Sequence, residues 1–405
     1  MKRLALILIL LCSVAASAAD RDSVAFVHQV GMNVRPALLT QHHEFFRGAN
    51  ALGRPMRAGF SAHLQYAFRF PSSSNFGKIF PTAYQGAGVS VNTFFNHKEI
   101  GTPSALYVFQ GARIARLGDR LSLDYEWNFG VSFGWHPYVR PTGETAGNPN
   151  NIVVGTPVNA YMNGSILLSW YPAPEWVVSA GLDVAHFSNG DTTFPNTGVN
   201  TVGLRVGAAR SFGGVYRNPK TATVASFPED SRFAERIVYD LVIYGAWNEE
   251  SVEYMDDEYV ADGKFGVIGL SFNPLYQVSG CFSVGPSLDI QYNENMNIQN
   301  HIAGINRSED EIRFYRPPLS EQLAAGVSLR AELTMPIFSI NFGIGHNVIY
   351  KGKELGGLYN TLALKTFITR SLFLHVGLKV SYTDVSNNLM LGVGWRFGQK
   401  SLIIK

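Results

Sequence analysis

The chain has 405 residues, of which only 16% are charged while 13% are aromatic and 40 are glycine, and its formal net charge is +2. A balance so close to neutral argues against binding through a strongly basic surface, and no nucleic-acid partner is expected. So few charges ordinarily go with long apolar runs, yet beyond the N-terminus the apolar residues are interleaved with polar ones.

The first residues bear on the compartment. Lys2 and Arg3 precede an apolar stretch from Leu4 to Ala16, and Ala16-Ser17-Ala18 supplies the small residues of a signal-peptidase site. The stretch is too short for a membrane-spanning helix, which takes about 20 residues. Residues 1–18 are therefore expected to be a signal peptide. Leu11 is too large for Cys12 to be a lipoprotein site, so cleavage falls after Ala18. Cys281 is then the one cysteine left; it reads as a small apolar strand residue, and no intramolecular disulfide is possible.

The strand pattern begins early and recurs to the end. Phe60, Ala62, Leu64, Tyr66, Phe68 and Phe70 alternate with Ser61, His63, Gln65, Ala67 and Arg69. In the clearest segment, Leu121, Leu123, Tyr125, Trp127, Phe129, Val131 and Phe133 alternate with Ser122, Asp124, Glu126, Asn128, Gly130 and Ser132. Successive strand side chains point to opposite faces, so one face is apolar and the other small or polar. Phe282 to Tyr292 and Leu372 to Tyr382 repeat the pattern. This is the signature of a membrane β-barrel, whose lipid-facing and lumen-facing residues alternate.

Eight strands are expected near 24–34, 58–70, 84–95, 104–115, 120–134, 158–170, 176–188 and 200–212. Eight more fall near 236–248, 263–272, 282–292, 321–333, 337–348, 359–369, 371–383 and 389–397. Connections alternate between tight ones, such as Arg116–Asp119 and Thr369–Arg370, and long ones, such as Arg35–Arg57, Trp135–Pro157 and Asn293–Ser320. Short periplasmic turns and long external loops make odd strands run outward and even strands return.

The expected fold is thus all-β: an antiparallel transmembrane barrel of about 14–16 strands, with two tandem eight-stranded barrels as the alternative. Asn128-Phe129-Gly130-Val131 resembles Asn341-Phe342-Gly343-Ile344, and Gly181-Leu182-Asp183-Val184 resembles Gly377-Leu378-Lys379-Val380. These echoes divide the mature chain into an eight-stranded unit at 19–212, a linker at 213–233 and a second, diverged unit at 234–405.

One stretch departs from the strand code. Ala185-His186-Phe187-Ser188-Asn189-Gly190 is followed by Phe194-Pro195-Asn196-Thr197-Gly198-Val199-Asn200. His186 and Ser188 continue the lipid-facing parity of Val178, Ala180, Leu182 and Val184, and Asn200 continues that of Val202, Leu204 and Val206. Three polar groups therefore converge outside the barrel wall, at the external end of two adjacent strands. Polar groups there are costly and mark function. Ser188 beside His186, with Asn200 to orient the imidazole, is a nucleophile–base arrangement for acyl transfer. Asn189, Asn196 or the Gly190 amide would donate to the oxyanion.

The stretch His186-Phe187-Ser188-Asn189-Gly190 with Pro195-Asn196-Thr197-Gly198-Val199 resembles the lipid A 3-O-deacylases (PagL-type, acyloxyacyl hydrolase-like), a family of outer-membrane esterases. The resemblance covers at most the first half of the chain. It implies an eight-stranded barrel with a Ser-His-acid triad on its lipid-facing exterior, removing an ester-linked acyl chain from lipid A in the outer leaflet of a Gram-negative outer membrane. It makes His186 the base and Ser188 the nucleophile, and puts Asn200 where the family has an acid. An amide oxygen can hold the histidine tautomer but brings no charge, and replacing the acid of a serine-protease triad by Asn costs about 10⁴ in rate. Asp183 has lumen parity and Asp191 lies in the loop, so neither stands in for it. Two rival readings are a passive pore and a catalytically silent structural barrel.

Other features point elsewhere. His42-His43 with Glu44 lacks the further ligands of a metal site, and no metal or cofactor is expected. Glu249 to Asp262 is rich in acids without calcium-loop spacing and reads as a solvated external loop. Lumen-facing His63, Arg69, Asp124 and Glu126 would form a packed plug in a narrow barrel and line a channel in a wide one. In the second half, Tyr382 and Asp384 occupy the places of His186 and Ser188, so that half is expected to be inactive.

Overall fold

The computed structural model describes residues 26–141, 146–212, 233–255, 257–261, 263–306, 311–352, 356–382 and 388–398. The expected signal peptide and all but the last residue of the expected linker lie outside the described residues.

The chain closes on itself twice. Strands β1 (Val27–Leu39), β2 (Ala58–Arg69), β3 (Tyr84–Thr93), β4 (Gly101–Arg116), β5 (Leu121–Trp135), β6 (Val158–Ala173), β7 (Trp176–Ser188) and β8 (Val199–Phe212) form one barrel, each antiparallel to the next. Closure comes from β1, where Met32 faces Leu64 of β2 on one side and Ala208 of β8 on the other. The second barrel runs through β9 (Ile237–Asn248), β12 (Phe265–Gln277), β13 (Phe282–Asn293), β16 (Leu323–Thr334), β17 (Phe338–Ile349), β18 (Gly357–Phe367), β19 (Leu372–Ser381) and β20 (Asn388–Phe397), and closes where Leu391 meets Gly245. The single wall of about 14–16 strands is therefore not formed; the tandem arrangement is. Pairing of β8 with β1 satisfies the free edge to which β9 would have added, and a closed ladder has no edge left to extend.

The expected alternation of connections holds except between β2 and β3, where residues 70–83 carry a short helix (Asn75–Ile79) in place of a tight turn, and the long connections hold more structure than alternation reveals. Tight turns join β4 to β5, β6 to β7, β16 to β17 and β18 to β19. At the other end, the β1–β2 connection carries a one-turn helix α1 (Glu44–Arg47). The acidic stretch holds a hairpin of β10 (Ser251–Tyr254) and β11 (Asp257–Val260), and the β13–β16 connection holds another of β14 (Ile302–Asn306) and β15 (Glu311–Phe314). Val252, Ala261, Ile298 and Ile312 pack these hairpins together. The acidic stretch is thus folded as a hairpin, on which Glu253 stays exposed. Strand β1 also runs further than expected, through Arg35 and Pro36 to Leu39.

The two faces differ as the pattern requires. Leu182 and Leu204, on the outer wall, stay 64% and 54% exposed, whereas the inward Asp183 and Arg205 are buried. Inside the first barrel Arg205 pairs with Glu126 (2.7 Å), which also accepts from Gln65 (2.8 Å) and Tyr84 (3.0 Å). Arg35 pairs with Asp183 (3.2 Å), and His63 Nδ1 lies 2.8 Å from the Tyr107 hydroxyl. Inside the second barrel Asp240 takes Arg396 Nε and Lys365 Nζ, each at 2.6 Å, and both cations also reach Glu332. Arg330 and Tyr359 converge on Asp289 at 2.8 and 2.7 Å. Buried charges persist only when paired and hydrogen-bonded, and here each has several partners. These networks fill both narrow lumens, the plug form of the two alternatives.

Above the first lumen lies an apolar cluster. Phe45, Phe46, Phe94, Ile100, Trp135, Val153 and Val154 come from the external connections and strand ends, and Phe187 and Val199 join them from β7 and β8. This cluster holds the end of the wall that carries the candidate site.

Candidate active site

The site is built by the strand alternation itself. Phe187 points inward, stacks on Tyr161 (centroids 5.0 Å apart) and meets Trp135 edge-on (5.3 Å). Val199, its cross-strand partner, is wholly buried. With those two residues locked inward, His186, Ser188 and Asn200 must face out. His186 and Asn200 are also directly opposed in the β7–β8 register, which brings their side chains together.

The three groups form one chain of hydrogen bonds. His186 Nδ1 is 2.6 Å from Asn200 Oδ1, and His186 Nε2 is 2.8 Å from Ser188 Oγ. An amide oxygen only accepts, so the ring proton sits on Nδ1 and Nε2 is left to accept from the Ser188 hydroxyl. All three residues are half-buried. The Asn200 carbonyl accepts from the Thr40 N–H (3.0 Å), which anchors the third member to the end of β1.

Gly198 closes the back of the site. It adopts φ +72°, and a Cβ there would come within 3.1 Å of His186 Cε1 and 2.9 Å of the Phe187 carbonyl oxygen. Its N–H donates to the Val153 carbonyl (3.0 Å). The resemblance includes Gly198, but its contact with the imidazole was not foreseen. Only the glycine in the motif hinted at it. Nothing in the sequence singled out Thr40.

The expected oxyanion donors fare differently. Asn189 is buried; its backbone N–H donates to Asn196 Oδ1 (2.9 Å) and its Nδ2 to the Thr193 carbonyl (2.7 Å). Asn196 Nδ2 donates to Asp191 Oδ1 (2.9 Å). Both asparagines thus direct these donors within the loop and fix its shape. Gly190 adopts φ +68°, and its N–H, like the backbone N–H of Asn196, has no partner among the described residues.

The remaining candidates lie apart. Asp183 is in the lumen with Arg35, and Asp191 is engaged by Asn196. His42 faces Thr40 Oγ1 (2.8 Å) and the Thr197 carbonyl (3.2 Å), while His43 Nδ1 accepts from Phe45 N–H to cap α1. Tyr382 stands exposed at the end of β19, its hydroxyl accepting from the Asn360 amide. Asp384 lies outside the described residues.

No curated protein matches the chain. Among solved structures, Neisserial surface protein A is 10% identical, with 46% of this chain and 96% of that one covered and a TM-score of 0.28. CdiB from Acinetobacter baumannii is 12% identical over 91% of this chain and 59% of that one, with a TM-score of 0.19. The siderophore receptor PirA from Acinetobacter baumannii is 8% identical over 92% and 70%, with a TM-score of 0.23. Residues 39–209 match the family described as lipid A 3-O-deacylase (PagL), and residues 237–400 match the acyloxyacyl hydrolase C-terminal domain. The resemblance drawn from the first half thus holds there, and the second half has a family relation of its own. Residues 39–209 are thus a lipid A 3-O-deacylase (PagL) domain, and residues 237–400 are an acyloxyacyl hydrolase C-terminal domain.

Proposed function

We propose that this protein is an outer-membrane esterase that removes an ester-linked acyl chain from lipid A, with Ser188 as nucleophile, His186 as general base and Asn200 orienting the imidazole. The observation that carries the reading is the hydrogen-bonded Ser188–His186–Asn200 chain on the outer wall, with the ring nitrogen nearest Ser188 free to accept a proton. The apolar outer faces of both barrels suit a bilayer, and an outward site suits a substrate that stays in the outer leaflet.

The chemistry follows from the geometry. Ser188 Oγ attacks the ester carbonyl as His186 Nε2 takes its proton, and charge develops on the carbonyl oxygen. The Gly190 N–H is a donor available for that oxyanion. Collapse breaks the ester C–O bond, and the imidazolium returns its proton to the departing sugar hydroxyl. Water then attacks the acyl-serine, with His186 again as base, and releases the fatty acid. The steps as written call for no cofactor. Asn200 holds the tautomer through its oxygen but leaves the imidazolium without a neighbouring carboxylate, so a modest turnover is expected.

The pore reading is disfavoured by the ion-paired side chains that fill both lumens. The test is direct. Purified protein in detergent micelles should release fatty acid from lipid A and react with a fluorophosphonate probe at Ser188. Ser188→Ala should lose both properties, and His186→Ala should lower the rate by about 10³ or more. A folded wild type that releases no fatty acid and takes no probe would instead support the silent structural barrel.

A further inference from the structure

The loop that links Ser188 to Asn200 is held from two sides, and one of them is the second barrel. Contacts inside the loop, such as those of Asn189 and Asn196, set its shape. They do not set its position, because both partners move together. Position comes from outside. Glu249, the residue after β9, accepts the Phe194 N–H at Oε2 (2.7 Å), and its own backbone N–H donates to the Asp191 carbonyl (3.3 Å). Lys264, the residue before β12, donates from Nζ to Thr193 Oγ1 (3.2 Å). The open face of Gly190 lies against Leu389 of β20, whose Cδ1 is 3.4 Å from where a Cβ would stand.

The two walls meet a second time lower down. Trp127 of β5 packs edge-on against Phe338 of β17 with centroids 5.1 Å apart, and the Tyr125 hydroxyl lies 3.8 Å from Met335 Sδ. The two barrels thus touch at two heights, and the rim that carries Glu249 and Lys264 supplies the loop with partners outside its own barrel. A carboxylate accepting a backbone N–H is the stronger kind of hydrogen bond, and Glu249 is half-buried where it makes it.

We propose that the second barrel acts as a positioning element for the site on the first, with Glu249 as the positioning residue that holds the β7–β8 loop, and through it Ser188 and the Gly190 amide, in reacting register. This rests on the esterase reading above. Misplacement by about 1 Å can cost about 10² in rate, so a clamp on this loop bears on turnover more than on substrate binding.

The test uses the full chain with Glu249→Ala and Glu249→Gln. Two measurements are made: kcat and KM on lipid A in micelles, and hydrogen–deuterium exchange across residues 189–198. Glu249→Ala should lower kcat about tenfold, leave KM within about twofold, and speed exchange in that loop. Glu249→Gln keeps an oxygen that accepts the Phe194 N–H and should stay within about threefold of wild type on both readouts. Unchanged exchange in Glu249→Ala overturns the clamp, whether or not the wild type turns over. Faster exchange with a wild-type kcat overturns its bearing on the reaction. A wild type that releases no fatty acid removes the esterase reading and with it the catalytic half of this proposal, while faster loop exchange in Glu249→Ala would still support the clamp.

Discussion

The residue at which the proposed triad departs from the lipid A 3-O-deacylase resemblance is Asn200. Its side-chain oxygen stands 2.6 Å from His186 Nδ1, where a carboxylate of the same shape would both fix the tautomer and stabilise the imidazolium. Asn200→Asp changes the charge at constant size. It is expected to raise kcat for fatty-acid release by at least about tenfold, a part of the roughly 10⁴ that separates acid from amide in a serine triad. A kcat unchanged or lowered in a folded variant would show that the imidazolium needs no such partner here. Gly198 makes the complementary case, since its role is to leave space. Gly198→Ala puts a Cβ against His186 Cε1 and strains a backbone at φ +72°, so kcat should fall about 10² with the barrel intact. Wild-type turnover in that variant would mean that the imidazole tolerates displacement.

At the scale of elements, the strands and their faces were legible because a half-buried strand writes its orientation into every second residue. His186, Ser188 and Asn200 could be assigned to the outer wall from parity alone, and the register that opposes His186 to Asn200 agrees. The loop between them was not legible. Asn189 and Asn196 have the right chemistry for oxyanion donors, but both spend donors on loop carbonyl and carboxylate oxygens, a choice that depends on the path of residues 189–198, which have no periodicity. The β10–β11 and β14–β15 hairpins escaped for a related reason. They are short, and they are held by packing on each other rather than by a long alternating pattern. Lumen elements carry their own test. Lys365 is buried between Asp240 and Glu332, and Lys365→Met leaves two carboxylates to share Arg396. Removing one partner of a buried ion pair costs about 3–5 kcal/mol, so the urea midpoint for unfolding in liposomes should fall accordingly. A change below about 1 kcal/mol would show that the remaining network absorbs the loss.

At the scale of the whole molecule, the number of barrels was beyond the reach of the pattern. Alternation says which face a residue takes but not which strand it pairs with, and the choice between one wall and two lies in whether β8 meets β1 or β9. Tandem closure has a functional consequence. It makes both lumens too narrow to escape being filled by side chains, and it gives the first barrel a neighbour whose rim touches the loop of the proposed site. The proposed activity thus lies on the outer wall of one barrel, with support from the other.

The central claim, that Ser188 hydrolyses an acyl ester of lipid A, is tested most directly by mass spectrometry of lipid A from cells expressing the wild type or Ser188→Ala. The account predicts lipid A lighter by one acyl chain with the wild type and unaltered lipid A with Ser188→Ala. Identical lipid A from both, with each protein shown to be folded in the outer membrane, would contradict it.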